Sequence, residues 1–219
     1  MTSRSRRRPG RPVGSQTGEG REALLQATRD LLAERGMPRV TLREVAKRAG
    51  VQPALVSYYF GGKAGLLRAV VDEVASGVVA RVRDAATQEG SAEDRLRGLI
   101  TAIVEALAAD PYAPRLLVEQ VLFAEDEIID EFVDAFARAN LGAVRSVLEA
   151  GRASGTLRSV DPLFFMPSAV GAAIFFFLAE PIVRRLFGVQ EITPELAHRF
   201  AQSTADLLLH GVTTRSAGK

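Results

Sequence analysis

The stretch "TLREVAKRAGVQPALVSYYF", residues 41–60, leaves few folds open. Thr41 with Glu44 three residues on is a capping box, in which each side chain satisfies a backbone N–H at a helix start. The helix it opens carries one narrow apolar stripe, Leu42, Val45, Ala46 and Ala49, and Gly50 breaks it. Gln52-Pro53 restarts a helix, because proline's fixed φ and missing N–H suit a first helical position. At roughly 100° per residue, Val56 and Phe60 fall together and point back to the preceding helix. Ala54 and Tyr58 lie opposite them, Leu55 and Ser57 flank, and Tyr59 sits at the edge. Two helices joined by a tight glycine turn, the second small and polar outward, predict a helix-turn-helix.

The other periodicities are helical as well. Leu24, Ala27, Thr28 and Leu31 share one face of a first helix that Gly36 ends. Beyond Lys63 a longer helix carries Leu66, Leu67, Val70, Val74 and Val78, and another, over about 92–108, carries Leu96, Ile100, Ile103 and Leu107. Further helical patterns cover 114–124, 128–154, 162–179 and 194–209, punctuated by Asp110-Pro111, Gly155, Asp161-Pro162 and Thr193-Pro194. No β alternation or internal repeat stands out, so an all-α fold is expected. Four segments follow: a disordered basic arm over 1–18, a helix-turn-helix domain over 19–65, a helical body over 66–211 and a flexible tail over 212–219.

Charge separates the two ends. Residues 1–70 hold fourteen Lys/Arg against five Asp/Glu, and the remainder fourteen against twenty-one, so a balance of +9 faces one of −7. A basic front on an acidic body points to a polyanion partner for the front, or to a solvated basic tail. With no cysteine there is no disulfide framework or thiolate chemistry, which fits a reducing cytoplasm. The opening residues lack the apolar run of a signal peptide. "PLFFMPSAVGAAIFFFLA", 162–179, is uncharged and spans ~27 Å as a helix, short of a bilayer core. A buried or intersubunit helix is the better reading, so no membrane partner is expected.

A recognition helix must enter a major groove about 12 Å wide. Ala54 on the outer face permits close approach, and Ser57 and Tyr58 supply hydrogen-bonding tips; Gln52 and Pro53 open the same helix. Tyr59 and Lys63 flank that face where phosphates would pass, and Thr41 caps a helix start suited to an anion. "RRRPGRP", with Arg7, Arg8 and Arg11, suits either a minor-groove arm or a nonspecific phosphate-binding tail.

The stretch 21–67, through "TLREVAKRAGV", the aromatic run "YYF" and "GGKAGLL", resembles the TetR family of bacterial transcriptional repressors. The resemblance implies phosphate contacts at Thr41, Tyr59 and Lys63 and base contacts at Pro53, Ala54, Ser57 and Tyr58. Many relatives carry an aromatic where this chain has Ser57, so the contact there passes to Tyr58 or is lost. The family also implies a helical C-terminal domain that dimerises through its last two long helices and encloses a small-molecule pocket. Leu196, Phe200, Ser203 and Leu207 form a seam suited to a partner helix. The uncharged helix mixes small residues, Ala169 and Ala172 among them, with phenylalanines such as Phe164 and Phe176; it suits a dimer contact, with intrachain core as the alternative. For the pocket, Phe132, Phe136, Asn140 and Val144 share a side of the long helix. Asn140 must find a polar partner there, a neighbouring helix being favoured over a ligand.

The expectation is thus a homodimeric, ligand-responsive repressor of a near-palindromic double-stranded operator, cytoplasmic and nucleoid-associated. A nonspecific DNA-compacting protein and a small-molecule-binding protein without DNA function are the alternatives. No catalytic motif, cofactor fingerprint or metal-spaced histidine pair is found; "GEGREA" follows no strand, and "GGKAG" lacks P-loop spacing.

Overall fold

The computed structural model describes residues 16–35, 40–110 and 112–212. They divide into two compact units between Leu66 and Leu67. Among the described residues every regular element is helical, as the periodicities predict.

The first unit contains α1 (Gln16–Arg35), α2 (Leu42–Arg48) and α3 (Ala54–Phe60), and α4 (Lys63–Thr87) begins in it. α1 starts at Gln16, ahead of the boundary drawn at residue 19. Helix extension needs backbone hydrogen bonds rather than apolar side chains, and Glu19 in the first turn favours the helix dipole. Leu24, Leu25, Ala27, Thr28, Leu31 and Leu32 are buried, and the Thr28 hydroxyl donates to the Leu24 carbonyl at 2.6 Å, so its burial leaves no orphan. Val45 and Ala46 of α2 and Val56 of α3 complete this small core. The turn between α2 and α3 is a Schellman motif: Val51 N–H donates to the Ala46 carbonyl and Gly50 N–H to that of Lys47. It requires φ of +69° at Gly50, where a side chain would be strained.

The second unit is built on α5 (Ala92–Ala109) lying along α11 (Pro194–His210). α11 offers the small buried residues Ala197, Ala201, Thr204 and Ala205, so Leu96, Leu99, Ile100 and Ile103 of α5 can approach closely. Each buried leucine or isoleucine contributes about 1.5–3 kcal/mol. Arg97–Asp206 (2.6 Å) and His198–Glu105 (3.0 Å) join the same two helices by polar contacts.

Between them in sequence come α6 (Ala113–Leu117), α7 (Asp126–Phe132), α8 (Arg138–Ala153), α9 (Pro162–Leu178) and α10 (Glu180–Phe187). The patterns over 114–124 and 128–154 are each interrupted by a π-helical turn, Val118–Leu122 after α6 and Val133–Ala137 between α7 and α8. α10 is an addition to the predicted set, because Pro181 in its first turn looks like punctuation. α9 and α10 meet at a 70° bend, and no single helix among the described residues is long and apolar enough to cross a membrane.

Candidate nucleic-acid interface and apolar cavity

α3 turns Val56, fully buried, toward α1 and α2, and leaves Ala54, Ser57 and Tyr58 exposed on the opposite side. Tyr58 stands 74% exposed, an unusual position for a large ring with no contact to make. Gln52, Pro53 and Lys63 are exposed too, whereas Tyr59 is half-buried, edge-on to Tyr58 at 5.0 Å between ring centroids. Phe60 is half-buried beneath the Arg21 guanidinium, 5.3 Å from its ring centroid, so a cation covers the inner aromatic. Gly65 sets the height of the following helix: a Cβ there would stand 1.9 Å from the Phe60 carbonyl oxygen. Only glycine lets α4 begin so near the end of α3.

Thr41 occupies both sides of its capping box. Its hydroxyl donates to Glu44 Oε2 at 2.8 Å and accepts from Glu44 N–H at 3.3 Å, while its own N–H donates to Glu44 Oε2 at 3.1 Å. Arg48 forks onto both Glu34 oxygens at 2.8 and 2.9 Å, locking α2 against α1. Those hydrogen bonds hold the guanidinium pKa above its ordinary value. On α2, Arg43 and Lys47 are exposed beside the buried Val45 and Ala46. They were not among the predicted candidates, although their spacing opposite the apolar stripe could have found them. Arg7, Arg8 and Arg11 lie outside the described residues.

The second unit contains a cavity of about 480 Å³, within the range of small-molecule sites. Phe132, Phe136, Asn140 and Val144 all line it. So do Val71, Val74 and Val78 of α4 and Met166 and Val170 of α9, which a sequence cannot tell from core residues. Among the described residues, no lining residue is ionisable, and Asn140 is the only one with a polar side chain. The Asn140 Oδ1 is buried without a hydrogen-bond partner among the described residues, so the favoured bond to a neighbouring helix is not made.

The predicted dimer-contact residues separate into two groups. Ala169 is 4% exposed, packs in the subunit's own core and lines the cavity, so its assignment to an outer contact is corrected. It stands on the inner side of α9 with Phe165, Ala173 and Phe177, one helical face that neighbouring helices cover. Ala172 is half-buried, while Phe164 is 69% and Leu207 74% exposed. Phe176 lies flat on Phe200, centroids 3.9 Å apart and planes within 6°, which brings α9 against α11; Leu196 is half-buried.

Comparison with known proteins agrees with this arrangement. Residues 24–70 match the family described as bacterial regulatory proteins, tetR family, and residues 89–217 match the tetracyclin repressor-like C-terminal domain. The chain is 37% identical over 86 residues to the HTH-type transcriptional regulator BetI of Escherichia coli, a match spanning 36% of this chain and 42% of that protein. A bacterial regulatory protein in the tetR family from Rhodococcus RHA1 superposes with a TM-score of 0.70 at 22% identity, over 90% of this chain and 98% of that one. The ketosteroid transcriptional regulator KstR2 of Mycobacterium tuberculosis superposes with a TM-score of 0.62 at 21% identity, over 93% of this chain and 98% of that one. With a reading-helix unit at one end and the C-terminal domain of the same family at the other, the chain belongs to the TetR family of transcriptional regulators.

Proposed function

We propose that the protein is a homodimeric repressor that leaves a near-palindromic operator when a small molecule fills the cavity. The observation that carries this reading is the single helix α4. It opens at Lys63, three residues beyond the end of α3, and its Val71, Val74 and Val78 form part of the cavity wall. A molecule in the cavity therefore touches the same helix that follows the reading helix. It shifts the operator equilibrium only by favouring one of two subunit arrangements.

In this reading Ala54, Ser57 and Tyr58 face base edges, with Gln52 and Pro53 at the start of the helix. Tyr59, Lys63, Arg43 and Lys47 meet phosphates, which position the protein without specifying sequence. Thr41 contributes chiefly by holding α2 through its capping box, since its hydroxyl is engaged with Glu44. Arg7, Arg8 and Arg11 add nonspecific affinity from the arm. The dimer forms through the outer side of α9 and the Leu196–Phe200–Leu207 seam, where Phe164, Phe175 and Leu207 stand exposed on a single chain.

Genomic footprinting followed by binding to the recovered site tests this. One dimer should occupy two half-sites about 34–36 Å apart, in strong preference to random DNA. Equal affinity for random DNA would sink the reading.

A further inference from the structure

The cavity wall restricts what can enter it, and this inference rests on reading the cavity as the effector site. Among the described residues its lining is aliphatic and aromatic apart from one amide, with no cation to pair a carboxylate and no carboxylate to pair an amine. A charged group moved from water into such surroundings loses its hydration and gains no partner. The amide has the opposite need. Asn140 Oδ1 is shut away from solvent and accepts no hydrogen bond among the described residues, a cost removed when the amide turns about its broad terminal torsion to present that oxygen to a ligand donor in the cavity. We infer that the cavity takes an uncharged, largely apolar molecule whose one hydroxyl-type donor hydrogen-bonds Asn140 Oδ1.

The neighbours of Asn140 support the assignment. Phe132 and Phe136, tilted against each other with centroids 5.3 Å apart, both line the cavity and offer aromatic surface to the apolar part of such a molecule. Val144 continues that side beyond the amide. Polar recognition is thus confined to one point on an apolar wall, and orientation within the cavity follows from that single bond.

Three probes of similar shape test this by calorimetry on the full chain at neutral pH: p-propylphenol, propylbenzene and p-propylbenzoate. The benzoate, ionised, should bind about a hundredfold more weakly than the phenol. Replacing the amide by its apolar near-isostere, Asn140→Leu, should lower the phenol-to-hydrocarbon affinity ratio about tenfold. The same variant should be no less stable than wild type without ligand, because it removes an orphaned buried acceptor. Comparable benzoate and phenol binding in the wild type overturns the exclusion of charge, and needs no variant to fold. An unchanged ratio in Asn140→Leu, or no binding of any probe, overturns the role given to Asn140. If the expected ranking holds while a filled cavity leaves operator affinity unaltered, the cavity chemistry stands and the ligand-released repressor reading falls.

Discussion

Arg68 on α4 donates through Nη1 to the Ile128 carbonyl on α7, 3.3 Å away. The same guanidinium donates through Nε to Asp72 at 3.0 Å and lies 3.9 Å from Glu131. One cation thus joins the helix that leaves the reading unit to the helix that leads into the aromatic cavity wall. Charged hydrogen bonds of this kind are worth about 1.5–3 kcal/mol when buried. Because Arg68 keeps some exposure, Arg68→Ala should cost about 1–2 kcal/mol after allowance for screening. A urea titration should show the midpoint falling with the slope unchanged; a midpoint equal to wild type would remove any structural role for the contact.

Tyr58 and Lys63 should separate reading from holding. Tyr58→Ala is expected to cost ~1–3 kcal/mol of operator affinity and to relax preference at one base pair. Lys63→Ala should weaken all DNA similarly and reduce the salt slope by about one. Salt titrations with operator and random duplexes distinguish these outcomes, and wild-type behaviour by both variants would place the interface elsewhere.

Gly65→Ala should disturb the reading helix from outside it. The added Cβ would lie 1.9 Å from the Phe60 carbonyl oxygen, a backbone atom that cannot swing aside. Overpacking of this sort costs about 1–3 kcal/mol, and the relief must move the end of α3 or the start of α4. Thermal unfolding and operator binding should both suffer. A variant with wild-type melting and affinity would contradict the close approach.

Leu207→Glu should act on assembly with little effect on the single chain, since Leu207 is 74% exposed there. At a two-fold contact the carboxylate would be buried without a partner in both copies. Sedimentation should show monomers, and operator binding should fall although α3 is untouched. A variant that sediments as a dimer and binds operator would move the contact off the α11 seam.

The capping box at the start of α5 predicts an acid-side effect. Hydrogen bonds from the Ser91 hydroxyl and backbone N–H to Asp94 hold its carboxyl below its ordinary value. A pKa lowered on folding means stability that is present above the unfolded carboxylate pKa, near 3.9 for aspartate, and is lost as pH falls through the folded value. Ser91→Ala should therefore lower the melting temperature at neutral pH, and its difference from wild type should narrow on acidification. A difference that widens toward low pH would have the wrong sign.

The all-helical fold was legible because its starts and stops are local chemistry. Thr41 with Glu44 and the turn glycine at 50 mark α2, and the 3.6-residue stripe puts Val56 inward and Tyr58 outward without any tertiary information. The cavity was only partly legible. Phe132, Phe136, Asn140 and Val144 stood out because an amide interrupts their stripe, but Val71 and Val74 present the same apolar spacing whether they pack on atoms or on empty space. Ala169 was assigned to the wrong side of α9 because a helix without charges has no polar face to orient it. α10 was hidden by Pro181, which ends helices and begins them with equal ease.

The π-helical turn over Val133–Ala137 makes the cavity sensitive to residue count as well as residue type. In a regular α-helix, steps of four residues drift about 40° each, so the three steps from Phe132 to Val144 would wander about 120° around the axis. A π turn holds more residues per turn and absorbs part of that drift, and all four side chains remain on the cavity. Inserting one residue beside the exposed Ala135, which the already widened turn has no slack to absorb, would turn Asn140 and Val144 by about 100° relative to Phe132. Length variation at this one turn could therefore change what the protein senses while every lining side chain is retained, a route to new specificity that alignment of the lining residues alone would miss.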